Sequence, residues 1–314
     1  MADSGKRERI AIKATHLWLG ETASLQYVSD SDNYVYSFRA SGRKLYLRLT
    51  SHLHRTQEQI EAELEFVSFL HQSGINVSPP VVSVNGRTVE VTGDENESFS
   101  ACVFEEAKGE IFIFGSDEAN RSHFRLRGRT LGQIHALSQS YTPSENRRRF
   151  RWDEDVLFSQ MEHYLPRSEK VVWAEYHRLM EYLRSYPRSE ESFGLIHGDF
   201  GATNLRCRSN LLTVFDFDDC CYHWYVYDLA ITIYPHGWRE GAEGLLDALL
   251  EGYSEEVEWE AHLRDDIIYF CRLRLLYMFL NYAKKWSFSN LSAEQINWLS
   301  KKRGNIVQGY VLHE

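Results

Sequence analysis

The sequence lacks most of the features that mark fibrous, stapled or membrane-embedded chains. Proline is scarce, at 6 of 314 residues, and glycine is ordinary at 19; this excludes collagen-like and low-complexity chains. Five cysteines occur, Cys102, Cys207, Cys220, Cys221 and Cys271, two of them adjacent. The odd count and the absence of any Cys-x-x-Cys argue against a disulfide framework, a zinc ribbon and a thioredoxin-type site, and point to a reducing cytoplasm. His52-Leu-His54 has no further ligand signature nearby and reads as a surface loop. No run approaches ~18 uninterrupted apolar residues, so no membrane span or membrane partner is expected. The charged start from Met1 to Arg9 has no apolar stretch behind it of the kind a secretory signal needs.

Positive charge is also in deficit: 35 Lys and Arg face 45 Asp and Glu, a net charge of −10. Such a chain repels phosphate backbones, so no nucleic-acid partner is expected. The densest basic run, Arg147-Arg148-Arg149 with Arg151, lies in a polar stretch after a helical pattern and reads as a solvated loop face. What is present is a soluble, core-forming composition, 43% hydrophobic and 25% charged. At roughly 150 residues per domain, the length fits two lobes or one large domain.

The two halves differ in pattern. Leu25–Val28, Tyr34–Phe38 and Lys44–Leu49 are β-rich, and a polar turn with Gly42 separates the latter two. A helix is predicted from Thr56 to Ser73. Thr56 and Gln59 form its capping box, Ile60, Leu64, Val67 and Leu70 its apolar stripe, and Gly74 its end. Strand character returns in 81–84, 87–91 and 98–104, with Asn85-Gly86 as a hairpin turn. After Gly109 helical patterns dominate: Arg121–Ser138, Lys170–Tyr186, and nearly everything from Gly241, with Ile267–Tyr282 as a buried core helix. The expected organisation is an α+β chain in which a β-rich lobe of residues 1–104 with one helix, a hinge at 105–109 and a mostly helical lobe of 110–314 follow one another.

The chemistry concentrates in two segments, Leu195-Ile-His-Gly-Asp-Phe-Gly-Ala-Thr-Asn-Leu205 and Leu211-Leu-Thr-Val-Phe-Asp-Phe-Asp-Asp219. Phosphoryl transfer needs positioning and charge neutralisation more than covalent help. Asp199 is a carboxylate able to accept the proton of an attacking hydroxyl. Asn204 and Asp216 offer oxygen ligands to Mg²⁺, a hard cation. Either motif alone is an ordinary turn; the order and spacing of the two together point to a kinase site.

His197-Gly-Asp-x-x-x-x-Asn204 followed by Asp216-Phe-Asp-Asp resembles the aminoglycoside phosphotransferase and choline kinase superfamily, which includes homoserine-kinase-like and bacterial stress-response kinases. The resemblance covers about Tyr27 to Tyr282 and implies a bilobal protein-kinase-like fold and use of ATP and Mg²⁺. It further implies Asp199 as catalytic base, Asn204 and Asp216 as metal ligands, His197 as a brace for the loop, and Asp228 of Tyr227-Asp-Leu-Ala230 as a structural support.

The small lobe agrees on physical grounds. Glu63 lies inside the apolar stripe of the predicted helix, where an unpaired carboxylate is costly. Its expected partner is Arg48, which with Glu63 would grip the nucleotide phosphates. The usual cation there is Lys, and Lys44 shares the strand face of Arg48, but some of the resembling family carries Arg. The loop Ser29–Tyr34 lacks Gly-x-Gly-x-x-Gly; Ser31 and Asn33 are its candidate phosphate donors. Glu105 and Ala107 lie at the lobe junction, where backbone groups would read the adenine edge. The aromatic run Cys220–Tyr227 either stacks on a substrate or packs the loop against the helical lobe, and no catalytic arrangement surrounds Cys220 and Cys221. Asp155, Glu162, Asp218 and Asp219 are candidates for an acidic acceptor cleft.

The expected function is thus an ATP- and Mg²⁺-dependent kinase for a hydroxyl of a small molecule. A Ser/Thr protein kinase of the stress-response type and a nucleotide-binding pseudokinase scaffold are the competing readings. Only eleven residues separate Asp216 from Asp228, too few for a eukaryotic activation segment, which favours a small acceptor.

Overall fold

The computed structural model describes residues 2–30, 32–95, 97–259, 262–286, 288, 290–310 and 312–313. They form two compact units: Met1–Ile111 with Tyr141–Arg149 and Leu205–Asp218, and Phe112–Ser140 with Phe150–Asn204 and Asp219–Glu314. Segments 141–149 and 205–218, beyond the expected boundary, group with the first unit.

The first unit is built on a six-stranded antiparallel sheet. β1 (Glu21–Asp30), β2 (Tyr34–Ala40) and β3 (Arg43–Ser51) run as a meander. β6 (Ser98–Glu105) pairs with β3, and also with β4 (Pro80–Val81) and β5 (Val89–Gly93). The Asn85-Gly86 turn forms, with the Gly86 N–H donating to Ser83 O at 3.0 Å. Its flanking strands do not pair with each other, however, because both take β6 as partner.

Alternation along β3 sends Leu45, Leu47 and Leu49 into the core on one face and Arg48 to the other. The leucine face is covered by a helix that charge-rich residues hide in the sequence, α1 (Ala2–Thr15). Ile10, Ala11, Ala14 and the following Trp18 are buried against the sheet. The first unit therefore carries two helices rather than the single one expected. The second, α2 (Gln57–Gln72), starts at the expected capping box: Thr56 Oγ1 accepts from the Gln59 N–H and Gln59 Oε1 from the Thr56 N–H. A hairpin, β8 (Leu205–Arg208) with β9 (Leu211–Val214), completes the unit. Isolated bridges from Val214 to Val77 and from Cys207 to Glu110 fix it to the preceding segments.

The second unit is mostly helical: α3 (Asp117–Ser140), the short α4 (Val156–Ser159) and α5 (Met161–Tyr164), α6 (Lys170–Ser185), α7 (Val226–Ile233), α8 (Ala242–Tyr253), α9 (Leu263–Trp286) and α10 (Ala293–Gln308). One short ladder, β7 (Phe193–Ile196) with β10 (Cys221–Trp224), runs through it. α3 and α8 touch backbone to backbone. A Cβ on Gly128 would stand 1.8 Å from Leu249 O and one on Gly252 1.9 Å from Arg125 O, so both crossing points need glycine.

Candidate active site

In the first unit, Arg48 leaves β3 toward α2 and meets Glu63 in a bidentate pair, Nη1 to Oε1 at 2.8 Å and Nη2 to Oε2 at 2.7 Å. Both residues are buried. The fork of guanidinium and carboxylate satisfies two donors and two acceptors at once, which makes a buried pair tolerable. Lys44 goes elsewhere: its Nζ lies 3.1 Å from Glu106 at the surface.

Arg48 also faces two further carboxylates, with Nη1 4.0 Å from Asp216 Oδ1 and 4.0 Å from Asp218 Oδ1. Asp216 follows β9 and has φ +65°. Outside glycine the left-handed region costs of order 1–3 kcal/mol and persists only where the surroundings enforce it. Phe217 is buried against Phe66 of α2, ring centroids 6.1 Å apart. Asp218 is buried and accepts from His54 Nε2 at 3.0 Å, with Arg55 Nε 4.0 Å away. Burial would raise its pKa, but the His54 hydrogen bond and the charges of Arg48 and Arg55 outweigh that and hold it well below the ordinary aspartate range.

Two expectations hold only in part. Arg147 and Arg148 of the arginine run are exposed, but Arg149 is only 2% exposed and donates from Nη1 to Gln59 O at 2.9 Å and from Nη2 to Asp218 O. The His52–His54 loop is not idle surface, since His54 ends on Asp218. Both partners are distant in sequence, which local charge patterning cannot see.

A cavity of about 280 Å³ opens beside this cluster, and Asn33, Arg48, Glu105, Ala107 and Asp216 all line it, with Val28, Val35 and Phe104 as apolar wall. Asn33 spends its Oδ1 on Thr50, which donates at 2.6 Å. Glu105 has its N–H on Pro79 O and its C=O accepting from Ser78 Oγ. A second lone pair remains on that carbonyl. Ser31 lies outside the described residues.

The second unit holds Asp199 and Asn204. Gly198 has φ +82°, and a Cβ there would stand 2.2 Å from Asp219 O, so the His-Gly-Asp turn requires glycine. Asp228, fully buried at the start of α7, accepts the His197 N–H at 2.8 Å and the Gly198 N–H at 2.9 Å, and lies 3.2 Å from His135 Nε2. Burial would raise its pKa; the His135 contact, the neighbouring His197 and the backbone donor hold it low. His197 Nδ1 accepts the Asp199 N–H at 3.2 Å. Arg127 Nη2 donates to Phe200 O at 2.8 Å. The loop is thus braced on both sides of Asp199.

Asn204 Nδ2 donates to Asp199 O and Oδ2, both at 2.9 Å, which leaves its carbonyl oxygen as the available ligand atom. Asp199 Oδ1 accepts from Arg274 Nη2 at 2.5 Å. Sequence reasoning missed Arg274. The available signal was a pair of arginines, Arg272 and Arg274, inside the mostly apolar Ile267–Tyr282 pattern, where each demands a buried anion; Arg272 finds Glu175.

Beside the loop, a second cavity is lined by Gly198, Asp155, Asp219, Trp152, Tyr227 and Tyr277 among others. The aromatic run divides between its two expected roles. His223 and Tyr227 face this cavity, while Trp224 packs on Phe193 and Phe270. Asp155 and Asp219 line it; Asp218 belongs to the arginine cluster of the first unit, and Glu162 is exposed, 3.5 Å from Arg167. Cys220 is fully buried, without the exposure a nucleophile needs.

Residues 25–263 match the phosphotransferase enzyme family. The chain belongs to that family and is a phosphotransferase. It is 29% identical over 296 residues to amicoumacin kinase of Bacillus subtilis, covering 91% of this chain and 87% of that one. Among solved structures it resembles amicoumacin kinase hAmiN in complex with AMP-PNP, Ca²⁺ and Ami, at 26% identity and TM-score 0.88 over 98% of this chain and 96% of that one. The fold is shared with a microcompartment-associated aminopropanol kinase, 21% identical with TM-score 0.80, covering 95% of this chain and 94% of that one. These relatives are small-molecule kinases and lend no support to the protein-kinase or scaffold readings.

Proposed function

We propose that the protein transfers the γ-phosphoryl group of ATP, as its Mg²⁺ complex, to a hydroxyl of a small amine-bearing molecule in the cytoplasm. The observation that carries the reading is the Asp199 arrangement: a carboxylate on a loop braced by Asp228, with its neighbour Asn204 turned so that an amide oxygen is left for a cation. Asp199 orients the acceptor hydroxyl and takes its proton. Arg48, held by Glu63, binds the nucleotide phosphates. Asn33 belongs to the loop over them, and backbone groups at Glu105 and Ala107 meet the adenine edge. In this division residues 1–104 are the nucleotide-binding lobe, 105–109 the hinge and 110–314 the acceptor lobe.

The donor set fits a nucleotide-borne divalent ion. Asn204 and Asp216 supply hard oxygen atoms only, and among the described residues no group of three or more His, Cys, Asp or Glu could hold a metal alone. Mg²⁺ commonly binds through one or two protein oxygens plus phosphates and water, and when bound it neutralises charge on the phosphates. An amine on the acceptor is supported by the carboxylates Asp155 and Asp219 and the rings of Tyr227 and Tyr277 in the second cavity, which together suit an ammonium group. The amicoumacin kinase hAmiN structure, which holds AMP-PNP and Ca²⁺, supports use of a nucleotide with a divalent ion. The five cysteines, none of which forms a disulfide, fit a reducing compartment.

The test is a product-forming assay with ATP and Mg²⁺ over a panel of amino alcohols, aminoglycosides, neutral sugars and peptides, with Asp216→Asn as control. Phosphorylation of an amine-bearing alcohol, reduced by about 10²-fold or more in Asp216→Asn as for other charge-stabilising groups, is the expected result. Turnover of peptides alone, or full turnover by folded Asp216→Asn, would overturn it.

A further inference from the structure

Arg149 and the His54 loop, neither of which the proposed reaction uses, converge on one residue. Asp218 is gripped at two points. Its carboxylate accepts from His54 at 3.0 Å and lies 4.0 Å from both Arg48 and Arg55. Its carbonyl accepts from Arg149 Nη2 and, at 3.5 Å, from Arg55 Nη2. Arg149 reaches on to Gln59 O at 2.9 Å, in the first turn of α2, the helix that also carries Glu63. Two residues before this grip stands Asp216, in the left-handed conformation, with its carboxylate at the cavity.

We propose that Asp218 and Arg149 are positioning residues for Asp216: they hold the turn after β9 in the backbone conformation that presents the Asp216 carboxylate to a nucleotide-bound cation. The proposal rests on the reading of Asp216 as a metal ligand. Its logic is a conformational equilibrium. An aspartate tolerates φ +65° better than most residues, but ordinary backbone regions stay open to it unless its flanks are fixed. On the N-terminal side β9 fixes it by pairing with β8. On the C-terminal side Phe217 is buried, and hydrogen bonds to the Asp218 carbonyl and carboxylate fix both the peptide plane and the side chain. Because Arg149 bridges α2 and the turn, the same guanidinium keeps the Glu63 helix and the Asp216 turn in register, so the Arg48 pair and the metal ligand are assembled together.

If only a fraction of molecules keeps Asp216 in place, metal-dependent affinity falls by that fraction. The test uses the full chain and measures calorimetric binding of AMP-PNP with Mg²⁺ and again with EDTA, beside thermal melting, for wild type, Asp218→Asn, Arg149→Met, Arg149→Lys and Asp216→Asn. Asp218→Asn and Arg149→Met should weaken the Mg²⁺-dependent affinity about tenfold, about 1.4 kcal/mol, and leave the EDTA affinity unchanged. Arg149→Lys should recover part of the loss. Asp218→Asn added to Asp216→Asn should cost nothing further. Unchanged Mg²⁺-dependent affinity in folded Asp218→Asn, with the affinity lost in Asp216→Asn, would overturn the clamp alone. Equal losses with Mg²⁺ and with EDTA would reduce Asp218 to a structural role and overturn it too. Full Mg²⁺-dependent affinity in Asp216→Asn would remove the metal-ligand reading itself, and the clamp with it.

Discussion

The loop that carries Asp199 and the turn that carries Asp216 are held by different physics. Around Asp199 the brace is mostly backbone: a buried carboxylate, Asp228, collects two peptide N–H groups, and a glycine permits the close approach to Asp219. Around Asp216 the brace is mostly side-chain charge, with Arg48, Arg55, Arg149 and His54 set among Glu63, Asp216 and Asp218. A backbone brace fixes a geometry whatever is bound. A charge cluster is balanced for a particular occupant; in the proposed function that occupant is a nucleotide, its phosphates on the cation side and its metal on the carboxylate side.

The comparison breaks first at Asp228. Asp228→Ala leaves two buried N–H donors unpaired, each worth about 1–3 kcal/mol. A stability loss of about 2–6 kcal/mol in chemical denaturation is expected, together with loss of turnover. A loss below 1 kcal/mol would show that the loop does not depend on this carboxylate.

The charge cluster behaves differently. Glu63→Ala strands Arg48 in a buried site and should cost about 3–5 kcal/mol, whereas Arg48→Met with Glu63→Leu should restore most of that stability. The double variant should nevertheless bind AMP-PNP poorly. A double variant as unstable as the single one would mean that the pair serves the fold rather than the nucleotide.

A smaller effect separates the units by pH. His223 in the second unit is fully enclosed, its Nδ1 accepts the Trp224 N–H at 2.8 Å, and burial pushes its pKa down to about 3. Burial also lowers His123 to about 3 and His236 to about 4. The unfolded chain takes up these protons near pH 6.5, before the folded one does. Stability is therefore complete above about pH 6.5 and falls as pH drops toward 3. His223 alone removes about 2 kcal/mol between pH 6.5 and 4.5. His223→Gln should flatten the dependence over that range. An unchanged slope would show that His223 is protonated in the fold.

The sequence was most readable where function forces residues into short spacings. His197 to Asn204 and Asp216 to Asp219 name themselves, and Glu63 could be paired with Arg48 because a carboxylate inside an apolar stripe needs a cation. It was least readable where contacts join distant segments. Nothing local says that Arg149 turns inward to Gln59 and Asp218, that His54 reaches Asp218 or that Arg274 reaches Asp199, because each is set by tertiary packing. α1 was hidden for a related reason: its charged first turns mask the few apolar residues, Ile10, Ala11 and Ala14, that cover the sheet.

In the proposed reaction Asp199 acts on the acceptor rather than on the nucleotide. The direct measurement compares wild type and Asp199→Ala in two assays, calorimetric binding of Mg²⁺·AMP-PNP and transfer from ATP to the acceptor found in the panel. Nucleotide affinity should stay within about twofold, and transfer should fall by about 10²–10⁴-fold, or roughly 3–5 kcal/mol of barrier. Equal transfer rates in the two proteins would contradict the central claim, because the proton-accepting group would then lie elsewhere.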